Sequence, residues 1–241
     1  MKIFNGGNIV MNTYLYPIDN GYVMVDTGYE GCLDAVEKRL HKRGASLSEV
    51  RYLFLTHAHD DHAGFLVELL DKYKNIKVIM SDKAMVTLKR GQNSFEGGCS
   101  TLLAFVFCKL IALFGKAEHR FPAVPDRLND RFIDITDENK TEIEKKISGK
   151  IIYTPGHTCD SISLRVGDII FCGDAAMNGF PSVRRLIIWI ENLGEFERSW
   201  ETLIGAGADM IYPAHGKPFK VCELEKYKGC ISKVKLRELK H

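Results

Sequence analysis

Five of the eight histidines in this 241-residue chain stand in turn-like contexts. Three of them fall within six positions, in Thr56-His57-Ala58-His59-Asp60-Asp61-His62-Ala63-Gly64. Imidazoles and carboxylates crowded behind a buried strand need a cation or hydrogen-bond partners, and a metal ion is the economical answer. His57 and His59, two positions apart, can approach one ion from an extended segment. Asp61 and His62, adjacent on the next turn, can reach a second ion; paired hydrolytic metals stand about 3.5–4 Å apart.

Such a centre needs further ligands from loops that follow other strands. Three segments qualify: Thr154-Pro155-Gly156-His157-Thr158, Phe171-Cys172-Gly173-Asp174 and Tyr212-Pro213-Ala214-His215-Gly216. In each, Gly or Pro beside the polar residue permits a tight turn close to an ion. His157, Asp174 and His215 are therefore candidate ligands. Cys172, two residues before Asp174, reads as a small buried strand residue rather than a ligand.

The elements that must position these residues follow from hydrophobic periodicity. Strand-like runs at 9–15 and 22–26 flank a turn at Asp19-Asn20-Gly21, and Leu33, Val36 and Leu40 recur at helical spacing before Gly44. A strand at 52–55 leads into the histidine cluster, a helix carrying Leu66, Leu69, Leu70 and Tyr73 leaves it, and a short strand at 76–80 follows. The second half repeats the theme with strands at 150–154, 161–166 and 168–172, a helix at 196–204 and a strand at 209–212. Mixed α/β is the class this order implies.

Residues 84–134 break the pattern and are read as an insertion into one domain spanning 1–241. Within it, 91–98 is loop-like and an apolar, partly helical stretch follows as far as Gly115. That stretch fits a packed core helix, a lid or substrate wall, or a homodimer surface, and sequence does not choose among them. From Lys226 onward, lysines and Arg237 alternate with Ile231, Val234 and Leu236 as in a solvated amphipathic helix.

The 33 Lys and Arg against 31 Asp and Glu leave a net charge of +2, which argues against a polyanion partner recruited by overall charge. The seven scattered cysteines contain no Cys-x-x-Cys pair and suit a reducing compartment. No leader-like apolar run opens the chain and the longest apolar stretch falls short of a membrane span. A cytoplasmic location is expected, with a small-molecule substrate and neither nucleic acid nor membrane as partner.

His57-x-His59-x-Asp61-His62 followed by separate His157, Asp174 and His215 resembles the metallo-β-lactamase-fold superfamily, as does Val25-Asp26-Thr27-Gly28. The likeness covers about residues 9–82 and 150–219. It implies a four-layer αβ/βα sandwich, with His57, His59 and His157 on a first metal and Asp61, His62 and His215 on a second. Asp174 would bridge the two, and Asp26 would orient ligands and a bound water from behind.

The activity implied is that of a dinuclear hydrolase, with two zinc ions, or other first-row ions such as iron or manganese, generating a bridging hydroxide near neutral pH and Asp61 orienting it. The residues discriminate among relatives. His59 stands where oxygen-reducing di-iron members resemble His-x-Glu-x-Asp-His; Met177 stands where acyl-homoserine lactonases place Tyr; the 26 residues after His215 are too few for the helical part of hydroxyacylglutathione hydrolases. No basic arm like that of ribonuclease Z is evident. Phe105, Phe107, Leu110, Leu113, Phe114 and Trp189 suggest an apolar pocket, hence a small ester, thioester or lactone. A mononuclear iron persulfide dioxygenase of the same fold and a phosphodiesterase or nuclease are the alternative readings.

Overall fold

Runs rich in β-branched and aromatic residues pair into sheets where the periodicity predicts strands, and each ligand-type side chain follows the end of one. The computed structural model describes residues 1–113 and 118–239. These fall into two compact units, one of residues 1–93 with 120–149 and the other of 94–119 with 150–241. Residues 84–134 are thus shared between both units. Each unit has its own apolar core.

In the first unit, strands Phe4–Asn5, Tyr14–Ile18, Gly21–Val25, Val50–Phe54, Lys77–Ser81 and Phe132–Ile135 form one sheet in that order. The first two pairings are antiparallel and the remaining three parallel. Parallel pairing requires crossovers, and helices Leu33–Lys42 and Leu66–Lys72 supply the first two. The first buries Leu33, Val36 and Leu40 against the core and ends in Arg39 and Lys42, whose positive charges complement the negative C-terminal pole of the helix. Leu15, Met24, Leu53, Val78 and Met80 fill the same core.

The strand expected at 9–15 begins only at Tyr14. Asn8 is the cause: its Oδ1 accepts from Val10 N at 2.7 Å and Met11 N at 3.1 Å, closing a local turn that leaves Ile9 97% exposed.

In the second unit, strands Phe219–Lys220, Met210–Pro213, Ile169–Gly173, Ile162–Val166 and Lys150–Tyr153 form a mixed sheet in that order. Met210–Pro213 runs parallel to Ile169–Gly173, and two antiparallel steps bring Lys150–Tyr153 into the same direction. Helix Leu193–Gly205 starts at Asn192, whose side chain accepts from Glu195 N at 3.1 Å, and buries Phe196, Trp200 and Leu203. A separate two-stranded ribbon joins Gly98–Cys99 to Trp189–Ile190.

The apolar stretch of residues 101–115 becomes helix Leu102–Leu113. Phe114 and Lys240 lie outside the described residues. The tail is not one amphipathic helix: helix Cys222–Tyr227 passes into a 3-10 turn, Lys228–Lys233, and then into extended chain where Arg237 bridges to Cys99. Ile231 is fully buried, and packing of Val234 and Leu236 against the second core dictates that path over continued helix. Cys172 is buried in its strand, as expected. Among the described residues no helix is long and apolar enough to cross a membrane.

Candidate metal centre

Parallel pairing of Gly21–Val25 with Val50–Phe54 sends both chains out at one sheet edge. Asp26 leaves the first strand and Thr56-His57 leaves the second, so residues thirty positions apart meet. Asp26 is 2% exposed and takes a φ of 56°, a left-handed conformation that Asp tolerates better than most residues. Its Oδ1 accepts from Thr56 N at 2.8 Å. Its Oδ2 accepts from the Thr56 hydroxyl at 2.8 Å and from His62 Nδ1 at 2.8 Å.

A carboxylate acceptor at Nδ1 requires that nitrogen to carry the proton, which leaves the lone pair of His62 on Nε2, the form in which imidazole ligates a metal. The Thr56 hydroxyl, having given its proton to Asp26, accepts from His57 Nδ1 at 3.1 Å. His57 is thereby set in the same tautomer. The His57 ring lies 4.6 Å from that of His59 and 3.9 Å from that of His62, centroid to centroid. Three buried imidazoles this close form a nitrogen-rich set suited to a metal cation.

The loop bearing these residues is held by close approach and by a distant clamp. A side chain on Gly64 would put its Cβ 2.4 Å from Asp60 O and from Glu30 N, so only glycine fits. Asn93, 33 positions away and 8% exposed, accepts from Asp60 N at 2.8 Å and donates Nδ2 to Asp60 Oδ1 at 2.8 Å. Asp61 keeps a side-chain exposure of 13%, and its Oδ1 stands 3.7 Å from His62 Nε2.

The second unit presents its own three. Strands Lys150–Tyr153, Ile169–Gly173 and Met210–Pro213 point the same way, so His157, Asp174 and His215 all emerge at one edge. Gly156 is obligatory in the turn before His157: it has a φ of 128° and its missing Cβ would lie 2.3 Å from Phe196 N. His157 Nδ1 donates to Trp189 O at 2.7 Å, again placing the lone pair on Nε2. Trp189 is fixed in turn by the ribbon with Gly98–Cys99 and by donation from its Nε1 to Glu96 O at 2.6 Å. Residues 96–99 thereby brace the carbonyl that holds His157. Nearby, Glu191 accepts from Cys159 N at 3.1 Å, and burial raises its pKa above the ordinary value.

The Asp174 carboxylate divides itself between two imidazoles. Its Oδ2 is 3.5 Å from His157 Nε2 and its Oδ1 is 3.4 Å from His215 Nε2. Donors at about 2.1 Å from a tetrahedral ion stand roughly 3.4 Å from one another, whereas a charge-assisted hydrogen bond closes to about 2.7–2.9 Å. The spacings at Asp174 and at Asp61–His62 match ligands sharing an ion. The nitrogen and carboxylate donor set, with its imidazole tautomers set from behind, fits a divalent metal, and each of the seven residues belongs to a group that could hold one.

All seven expected ligands thus lie in ligand-like surroundings within their own units, and Asp26 stands behind His62. Sequence reasoning missed Thr56, Asn93 and the Trp189 carbonyl. Thr56 adjoins the motif and could have been suspected; Asn93 sits in a polar loop with no spacing signal, and a backbone carbonyl has none at all. Leu110 and Leu113, expected to line a pocket, are 51% and 82% exposed.

A family model described as the metallo-beta-lactamase superfamily matches residues 7–215. A metallo-beta-lactamase fold-containing protein of Sulfurisphaera tokodaii is 30% identical over 141 residues, covering 57% of this chain and 49% of its own. A "probable metallo-hydrolase" of Methanocaldococcus jannaschii is 28% identical over 227 residues, covering 88% of this chain and 91% of its own. The chain spans about half the length of several curated relatives, 49–58% of three of them. Among solved structures, a metallo-beta-lactamase family protein of Thermus thermophilus shares the fold with a TM-score of 0.66 at 18% identity, covering 96% of this chain and 79% of its own.

Proposed function

From the premise that this chain belongs to the metallo-β-lactamase superfamily, we propose that it is a dinuclear zinc hydrolase acting on a small ester, thioester or lactone. His57, His59 and His157 would hold one ion and Asp61, His62 and His215 the other, with Asp174 serving both. The observation that carries this reading is the Asp174 carboxylate, whose two oxygens face two different imidazoles at ligand-to-ligand distance. The relative named as a metallo-hydrolase, matched over 91% of its length, supports the hydrolytic side.

Bound divalent ions supply Lewis acidity and bring the pKa of water toward neutrality. The chain's own residues do the rest. Asp26 holds His62 and, through Thr56, His57 in the ligating tautomer, so it is a positioning residue. Asp61, the partly exposed carboxylate of the set, turns Oδ1 toward His62 and offers Oδ2 to orient the attacking water and receive its proton. Phe105, Phe107 and Trp189, each partly buried in the second unit, offer apolar surface to an acyl group.

The test is protein purified without added metal, analysed for metal content and then screened, zinc-loaded, against ester, thioester, lactone, β-lactam and phosphodiester substrates, with Asp61→Ala as control. The expectation is two metal equivalents and turnover of an acyl substrate that Asp61→Ala abolishes. One iron per chain with oxygen uptake on glutathione persulfide would overturn it, as would phosphodiester turnover alone.

A further inference from the structure

Of the twelve residues in helix Leu102–Leu113, Ala104 alone is buried, although eleven of the twelve are apolar and only Lys109 is charged. At about 100° per residue, Leu102, Leu113, Val106, Leu110, Leu103 and Phe107 follow one another around an arc of roughly 140° that contains no charge. Leu102 and Leu113 are 60% and 82% exposed. At the far edge of the arc the Phe107 ring meets that of Phe180 at 5.7 Å, and Phe180, 75% exposed, extends the apolar surface onto the loop that also carries Val183. Contiguous apolar surface of this kind marks an interaction site.

The same loop ends in cations. Arg184, held at a left-handed φ of 56°, lines a cavity of about 290 Å³ with Lys226, Tyr227 and Lys233. Arg185 is neutralised by Glu223 at 2.5 Å, but among the described residues no carboxylate lies within 4.0 Å of Arg184, Lys226 or Lys233. Three cations on one cavity wall suit an anion, and Arg184 shares its loop with Phe180, which packs on the helix.

We infer that the Leu102–Leu113 helix face, with Phe180 and the Arg184, Lys226 and Lys233 cluster at its margin, docks on an anionic phospholipid surface. An apolar helix face bordered by basic residues lies in the membrane interface, its side chains among the acyl chains and its cations against headgroup phosphates. Arg184 can take a phosphate with its planar fork while the lysines act as point charges. A second copy of the chain fits less well, since it would bring two sets of the same cations to one interface. The helix lies on the surface and does not span it. This departs from the sequence-based expectation of no membrane partner, which rested on the lack of a spanning segment.

The experiment is co-sedimentation of the full chain with vesicles of phosphatidylcholine alone and of phosphatidylcholine with phosphatidylserine. Binding should favour the anionic vesicles and weaken as salt is raised. Leu110→Ser/Leu113→Ser should lower vesicle affinity about tenfold or more. Lys226→Gln/Lys233→Gln should remove the preference for phosphatidylserine. All the substituted side chains are on the surface, and zinc content and circular dichroism matching the parent protein show that the fold is kept. Equal binding to both vesicles, no binding to either, or indifference to both variants overturns the inference. A dimer that Leu110→Ser/Leu113→Ser dissociates, without vesicle binding, assigns the face to a second copy instead. None of these outcomes bears on the metal reading.

Discussion

Asn93 grips Asp60 at two points, accepting from its backbone N–H and donating to its carboxylate, each at 2.8 Å. Asp60 lies between His59 and Asp61. A residue outside the histidine motif therefore sets the loop that carries the first unit's candidate ligands, and its side chain is buried, so neither bond can be exchanged cheaply for water.

Asn93→Ala should destabilise the protein by about 1–3 kcal/mol, the usual range when a buried polar group loses its partner. Chemical denaturation measures the loss, and the release of zinc to a chelator should quicken in the same variant. Unchanged release would mean that the loop needs no clamp.

Asp26→Ala removes the acceptor behind His62 and the anchor of Thr56. Loss of such a supporting group weakens metal binding about 10–100-fold. Asp26→Asn should lose less, because an amide oxygen can still accept from His62 Nδ1 and Asn tolerates the left-handed backbone at this position. Competition titration against a zinc chelator ranks the three proteins; equal affinities would remove Asp26 from the centre.

Two Gly→Ala substitutions should act in opposite directions. In Gly64→Ala the new Cβ meets backbone atoms at 2.4 Å, and the forced shift should cost about 1–3 kcal/mol. Gly205, at the exposed end of helix Leu193–Gly205, has nothing within 4 Å, and Gly205→Ala should be neutral or stabilising by up to about 1 kcal/mol. Thermal unfolding reads both signs.

Glu37 accepts from Lys72 Nζ at 2.6 Å and from the Tyr73 hydroxyl, and these bonds hold its pKa below the ordinary 4.5. A carboxylate whose folded pKa is depressed stabilises the fold above its unfolded pKa and ceases to do so as pH falls through the folded value. The melting temperature of Glu37→Gln should lie below that of the parent at neutral pH, and the gap should narrow as pH falls below the ordinary carboxylate range. A gap constant with pH would show that the ion pair contributes nothing.

Much of this was legible in the chain itself. Period-two and period-3.6 apolar patterns placed the strands before His57, Asp174 and His215 and the helices at Leu33–Lys42, Leu66–Lys72 and Leu193–Gly205, because burial on one face imposes those periods on any sequence. The seven ligand-type residues stood out because few other roles concentrate imidazole and carboxylate at strand ends. The start of the Tyr14–Ile18 strand did not, since a single Asn8 side chain competes with strand pairing there.

What the sequence determined alone was the inventory: which residues can bind metal, which segments can extend or coil, and where glycine is needed. Tertiary structure decided the rest. That Asp26 meets His62, that Asn93 clamps Asp60, that Trp189 holds His157 and that the 101–113 stretch leaves its apolar face outward all depend on sheet order and packing. Contacts between residues about 30 positions apart leave no local periodicity, because their energy is gained only once strands have been brought side by side.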